Sequence, residues 1–315
     1  LPTLLSERGL RSTAGVAWKY VSHRLRFHYF YVNYVLPTMF RRNHREGQHI
    51  YEKDWDNLII LDACRYDLME QYGSIDGDLT SMISRGNTSL EFMQENFSGQ
   101  NHLDTVYVTA NPFAEKLEDN VFHAIDSVLD EWDAERSTVL PESVTNRGMK
   151  AAEDFPNKRL IIHYMQPHDP HLGAIADDAA HELTGLNLQH AGIEVDAKDE
   201  AQSIFDLFRS GVLTQGQLKK SYLETLSIVE NSVRVLLDEL EGKTVITSDH
   251  GENLGEKYFR YELTGHGMDT VECRQVPWLE IDYTERKHVN AAEAIGKMVQ
   301  PEDVSGKLRD LGYLN

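Results

Sequence analysis

Five short apolar runs, separated by helical patterns, set the strongest limit on how this chain can fold. They are Asn57–Leu61, residues 105–109, Arg159–Tyr164, Thr244–Thr247 and residues 276–281. Each is too short for a buried helix and rich in strand-favouring side chains. The clearest helix predicted between them covers residues 218–240, where Leu218, Tyr222, Leu226, Val229, Val233, Leu236 and Leu240 recur near a 3.6-residue period. Strands alternating with helices predict an α/β fold, a three-layer αβα sandwich whose central sheet is mainly parallel and covered on both faces. Residues 173–216 are polar and poorly periodic, and are read as an insertion or lid near the site, with helix pieces at best.

The chain has 315 residues and 41% hydrophobic content, enough for one large core. Residues 47–315 are therefore expected to form a single catalytic domain. The formal net charge is −20, which argues against nucleic acid as a partner. The acids are spread through the chain rather than gathered in a tail, a pattern expected of a halophilic protein. Residues 1–46 differ: Arg8, Arg11, Lys19, Arg24, Arg26, Arg41, Arg42 and Arg45 stand against Glu7 and Glu46, a net of +6 that leaves −26 for the remainder. An aromatic stretch at residues 27–36 lies among these cations. Two readings are open for residues 20–45: peripheral contact with an anionic membrane surface, or a helix packed across the domain with its arginines paired to acids. No run of about 18 apolar residues predicts a spanning helix. Cys64 and Cys273 form no CxxC pair, so a reducing, cytoplasmic location is expected, with a peripheral position at the inner membrane surface as its variant.

Ligands of open α/β sheets bind beyond the carboxyl ends of the strands, so the polar residues after each run are the candidates for chemistry. Asn57–Leu61 delivers Asp62, with Arg65 and Asp67 close behind; Thr244–Thr247 delivers Asp249 and His250, then Gly251 and Glu252. The third run leads into His163, His168, Asp169 and His171, while His266 follows after a short loop from Asp249 and His250. Imidazoles and carboxylates without thiolate suit a first-row divalent ion, zinc or manganese above all, with magnesium or calcium as further options. The segment Ser84-Arg85-Gly86-Asn87-Thr88-Ser89 offers hydroxyls where a helix is predicted to begin. There Thr88 or Ser89 serves as an N-cap, as a nucleophile, or as both. Asn111 precedes Pro112 and reads on local sequence as an Asn-Pro turn.

Asp62-Ala63-Cys64-Arg65-Tyr66-Asp67, His168-Asp169-Pro170-His171, Ser248-Asp249-His250-Gly251-Glu252 and Gly265-His266 together resemble the ordered motifs of the alkaline phosphatase superfamily. Within it, the likeness is to the sulfatase-like and phosphodiesterase-like branch, archaeal sulfatase-like proteins in particular, and it covers about residues 55–281. The resemblance implies that Asp62, a hydroxyl nucleophile, Asp249 and His250 hold one metal. His168, His266 and the neighbouring His171 would serve a second metal or the ester oxygens, with Arg65 and Asn111 on the phosphoryl oxygens. His168 or His266 would protonate the leaving group. Sulfatases make their nucleophile from a Cys-x-Pro-x-Arg element, and neither Cys64 nor Cys273 lies in one. The expected activity is therefore metal-dependent hydrolysis of phosphate esters through Ser89 or Thr88, Ser89 being preferred for its place in Ser84-x-Gly86-x-x-Ser89-x-Glu91-Phe92. Alternatives are a sulfatase, a phosphoglycerol or headgroup transferase acting on membrane lipid or surface glycan, and a non-catalytic anion-binding relative. Small-molecule, lipid or glycan phosphate or sulfate esters are the expected partners.

Overall fold

The computed structural model describes residues 27–44, 47–179 and 203–311. Eight strands form one sheet in the order β12-β4-β3-β7-β1-β8-β11-β2. In chain order the strands of the molecule are β1 (Asn57–Leu61), β2 (Asp78–Ile83), β3 (His102–Thr109), β4 (Phe122–Ser127), β5 (Trp132–Asp133), β6 (Thr138–Val139), β7 (Arg159–Tyr164), β8 (Thr244–Thr247), β9 (Asn253–Tyr258), β10 (Tyr261–Gly265), β11 (Gln275–Glu280) and β12 (Gly296–Lys297). The predicted runs are β1, β3, β7, β8 and β11. Within the sheet only β11 runs antiparallel to its neighbours, β8 and β2. β5 pairs with β6, and β9 with β10, as separate two-stranded ribbons.

The central runs are apolar throughout because the sheet is covered on both faces. Alternate side chains enter different cores. Ile59, Leu61, Val106, Val108, Leu160 and Ile162 pack on one side with Val144 and Ala151 of helix Pro141–Asp154 and with Leu226, Val229 and Val233 of helix Gln215–Leu237. Leu58, Ile60, Tyr107, Ile161 and Val245 pack on the other with Phe92, Met93 and Phe97 of helix Ser89–Phe97. Mixed, mostly parallel strands flanked by helices are thus the α/β sandwich that the alternating pattern predicts. Each fully buried Leu or Ile contributes about 1.5–3 kcal/mol of transfer free energy.

Helix Gln215–Leu237 starts three residues before the predicted point and ends three before it. The start is fixed by a capping box, in which Thr214 accepts from the Gln217 amide and Gln217 accepts from the Thr214 amide. Leu240 lies beyond the helix end yet still packs on the core, which is why its spacing read as helical.

Of the 173–216 segment, residues 180–202 lie outside the described residues, and so does their share of the lid reading. Its later part forms helix Ile204–Arg209, whose Ile204, Phe205 and Leu207 pack with Leu68, Leu218, Tyr222 and Leu254.

Residues 27–43 are helical, with a π turn at Tyr31–Val35 before helix Leu36–Asn43. One face packs on the β9–β10 hairpin, bringing Phe27, Tyr31, Val32 and Leu36 to Tyr258, Tyr261 and Leu263. The packed-helix reading fits this part of the basic segment. The arginine pairing expected with it is absent from Arg41 and Arg42, which form no ion pair among the described residues. The remaining cations of residues 1–46 lie outside those residues. No described helix is long and apolar enough to cross a membrane.

Candidate active site

β1 and β8 are adjacent and parallel, so their carboxyl ends place Asp62 beside Asp249 and His250. All three are fully buried. Asp249 Oδ1 accepts from the amides of Ala63 at 3.2 Å and His250 at 2.9 Å. Ala63 itself adopts a left-handed φ of 62°, a strained conformation for a residue with a side chain. Gly251 is required for a different reason. A Cβ there would collide with the Glu272 carbonyl oxygen, so the turn after His250 can pass only as glycine.

The two carboxyl groups each keep one oxygen without a hydrogen bond, Asp62 Oδ1 and Asp249 Oδ2. His250 Nε2 lies 3.4 Å from the first and 3.6 Å from the second. The Gly251 carbonyl, which can only accept, takes the His250 Nδ1 proton at 2.9 Å, so Nε2 presents a lone pair. Burial, and then His266, lowers the His250 pKa to about 4, leaving the ring neutral at pH 7. Burial, then the Asp249 charge, raises Asp62 well above the usual carboxylate range. Two carboxyl groups and a nitrogen lone pair buried this close are unfavourable unless they share a proton, which the raised Asp62 reflects, and a divalent cation would satisfy all three in its place. The donor set fits such an ion.

Ser89 opens a helix and Thr88 caps it. The Thr88 hydroxyl oxygen accepts from the Glu91 amide at 3.2 Å, and the Glu91 carboxylate accepts from the Asn87 amide at 2.8 Å. Gly86 makes room for this turn, since a Cβ there would strike the Phe92 backbone. Ser89 is fully buried, with Oγ donating to Asp62 Oδ2 at 3.1 Å and lying 3.3 Å from His250 Nε2. The two hydroxyls thus have different surroundings: Thr88 faces the helix backbone and Ser89 faces the carboxylate and imidazole.

Asn111 forms the expected turn, but its amide is turned to Asp62 rather than left open for a phosphoryl oxygen. Its Nδ2 donates to Asp62 Oδ2 at 2.9 Å, while its Oδ1 accepts from the Phe113 amide at 3.0 Å and caps the following turn. It reaches the site as a support for Asp62.

His168, Glu252 and His266 form a second cluster, their ligand atoms within 4.8 Å of one another, as are those of Asp62, Asp249 and His250. The His250 and His266 rings are 4.6 Å apart, so the clusters adjoin. Glu252 is the residue that the sequence reading left out of the ligand set. Burial raises its pKa to about 7, and its Oε2 has no hydrogen-bond partner. Its position two residues after His250 was the available signal. His163 was also left out. Fully buried on β7, it faces Tyr107 Oη at 2.7 Å through Nδ1, and its Nε2 stands 3.7 Å from Asp249 Oδ2 and 3.9 Å from Asp62 Oδ2.

Three expectations change with the geometry. Arg65 does not face an open anion position: its guanidinium donates to both Asp67 oxygens at 2.9 and 2.8 Å, to the Glu252 carbonyl at 3.2 Å and to Glu256. It braces the turn that carries Glu252. His171 stands outside both clusters, with Nδ1 3.2 Å from Ser221 Oγ. His168 and His266, expected as proton donors, are lowered by burial to about 4, so in the ion-free protein at neutral pH they are neutral imidazoles, each with one N–H and one lone pair, rather than imidazolium acids.

No protein-family model and no curated protein matches the chain. Solved structures similar to it include the C-terminal periplasmic domain of EcEptC from Escherichia coli in complex with zinc, at 14% identity and a TM-score of 0.47, covering 77% of this chain and 76% of that one. The soluble domain of lipooligosaccharide phosphoethanolamine transferase A from Neisseria meningitidis is similar at 12% identity and a TM-score of 0.43, covering 71% and 75%. BT1596, a 2-O GAG sulfatase, is similar at 12% identity and a TM-score of 0.37, covering 81% and 70%.

Proposed function

We propose that this protein is a divalent-metal-dependent hydrolase of phosphate esters with Ser89 as nucleophile. The observation that carries the reading is the placement of Ser89 Oγ, 3.1 Å from Asp62 Oδ2 and 3.3 Å from His250 Nε2, at a helix N-terminus beside partnerless buried carboxylate oxygens. Asp62, Asp249 and His250 would hold one ion, zinc or manganese by donor type, and His168, Glu252 and His266 a second. When bound, such an ion lowers the pKa of a nearby hydroxyl and neutralises charge on an ester.

The residues of the chain do the rest. Asn111 and His250 orient the Asp62 carboxylate and the Ser89 hydroxyl, and the helix that starts at Ser89 turns its positive end toward incoming anion. Attack forms the Ser89 Oγ–P bond, with the hydroxyl proton leaving by way of Asp62 Oδ2, and breaks the bond from phosphorus to the leaving oxygen, which takes a proton from solvent. Water then cleaves the phosphoseryl ester and restores the hydroxyl. If an acceptor alcohol replaces water in that second step, the same site is a headgroup or phosphoglycerol transferase. Phosphate is favoured over sulfate because serine occupies the nucleophile position, while Cys273 is buried against Asn253 with its thiol pKa pushed up to about 12.

The test is turnover of nitrophenyl phosphate, its diester and its sulfate after chelation and return of single divalent ions. Ser89→Ala should lose burst labelling and at least a thousandfold in kcat, while Thr88→Ala should keep the burst and lose stability of about 1 kcal/mol. A retained burst in Ser89→Ala, or full activity without metal, overturns the assignment. Added glycerol that diverts product without raising free phosphate identifies the transferase.

A further inference from the structure

We propose that the helix of residues 27–43 and the tip of the β9–β10 hairpin form one docking surface for an anionic lipid bilayer. The face of this helix turned from the hairpin carries Tyr29, Phe30 and Tyr34, which are 61%, 52% and 57% exposed. Phe30 and Tyr34 stack on each other at 5.5 Å rather than on the body of the protein. The hairpin tip adds Phe259, 75% exposed and held at a left-handed φ of 58°, with its ring 6.2 Å from Tyr31. A large aromatic residue in that backbone region is costly to keep for folding alone.

Charge selects the occupant. The chain as a whole carries −20, yet residues 27–44 contain no acid, and Arg41 and Arg42 there are exposed and without an ion pair among the described residues. Arg260, beside the tip, lies over the rings of Phe27, Phe259 and Tyr261. Exposed tyrosine and phenylalanine on a helix that ends in Arg41 and Arg42 match the interfacial layer of an anionic bilayer, where rings sit at headgroup depth and guanidinium groups meet phosphate. The rest of this acidic molecule is repelled by the same surface, so only one orientation is favourable.

The hairpin links this surface to the site. β9 follows Glu252 directly and spans six residues, so the tip stands about 20 Å from the second cluster. A docked molecule would therefore hold its site about 20 Å from the lipid surface, within reach of esters that project that far from it. This last step rests on the proposed hydrolase or transferase reading; the docking itself does not.

The test is co-sedimentation of the full chain at low salt with vesicles of phosphatidylcholine alone or mixed with phosphatidylglycerol. The native chain should pellet with the mixed vesicles and stay in solution with the neutral ones. Tyr29→Ser/Phe30→Ser/Tyr34→Ser should lose partitioning by roughly tenfold or more. Phe259→Asn, which suits the left-handed backbone and keeps the fold, should weaken it as well. Ser89→Ala should pellet like the native chain, which separates failure of docking from failure of the catalytic assignment. Equal pelleting of native and aromatic variants, binding indifferent to vesicle charge, or a concentration-dependent dimer abolished by the same variants without vesicle binding would each overturn the proposal.

Discussion

Glu252 carries the sharpest conflict between stability and function in the molecule. Burial raises its pKa from 4.5 to about 7. A carboxyl group with a folded pKa above its unfolded value favours folding less and less as pH rises, so the ion-free protein loses stability from about pH 4.5 through pH 7. Glu252→Gln should therefore raise the melting temperature of the ion-free chain at pH 8 while weakening ion uptake. Because an ion must displace the Glu252 proton, uptake by the native chain should strengthen about tenfold per pH unit below 7 and level off above it. Calorimetry at pH 6 and pH 8 reads this directly; affinity independent of pH, or unchanged by Glu252→Gln, rules out Glu252 as a ligand. At this scale the sequence was legible where chemistry sits immediately past an apolar run. Asp62, Asp249, His250 and Ser89 were all singled out, and the structure brings them together. Arg65 was misread because its partner Glu256 lies on β9, a strand without an apolar signature.

Among elements, the turn after β8 depends most on a single residue. Gly251 passes so close to the Glu272 carbonyl that any side chain forces the strand ends apart. Gly251→Ala should cost more than about 2 kcal/mol and abolish ion binding, read by denaturant unfolding and by metal content after dialysis. A variant with native stability and a full metal complement would show that the turn can relax. The strands that the sequence made plain, β1, β3, β7, β8 and β11, are buried on both faces over most of the predicted runs. β2 was missed because it is an edge strand with three of its six residues polar, all three of them exposed. β4 was missed because His123 and Asp126 interrupt it, and Asp126 is held by Arg147 from a distant helix. Partners of that kind are set by tertiary structure and leave no local pattern.

For the whole molecule, charge dominates. A net charge of −20 on a 36.0 kDa chain repels itself, and mobile ions screen that repulsion within about 10 Å at 0.1 M salt. The melting temperature should rise between low salt and molar potassium chloride, with the largest gain at the low end; a flat response would argue against the halophilic reading of the acidic surface. The α/β architecture was legible at this scale because alternating strand and helix patterns leave few arrangements. The antiparallel direction of β11 was not, since nothing in an apolar run encodes the sense in which it enters the sheet.

The β9–β10 hairpin has Glu252 and His266 at its two feet and Phe259 at its crown. If a grip on the crown alters the spacing of the feet, a cation held by the feet alters the grip of the crown by the same free energy.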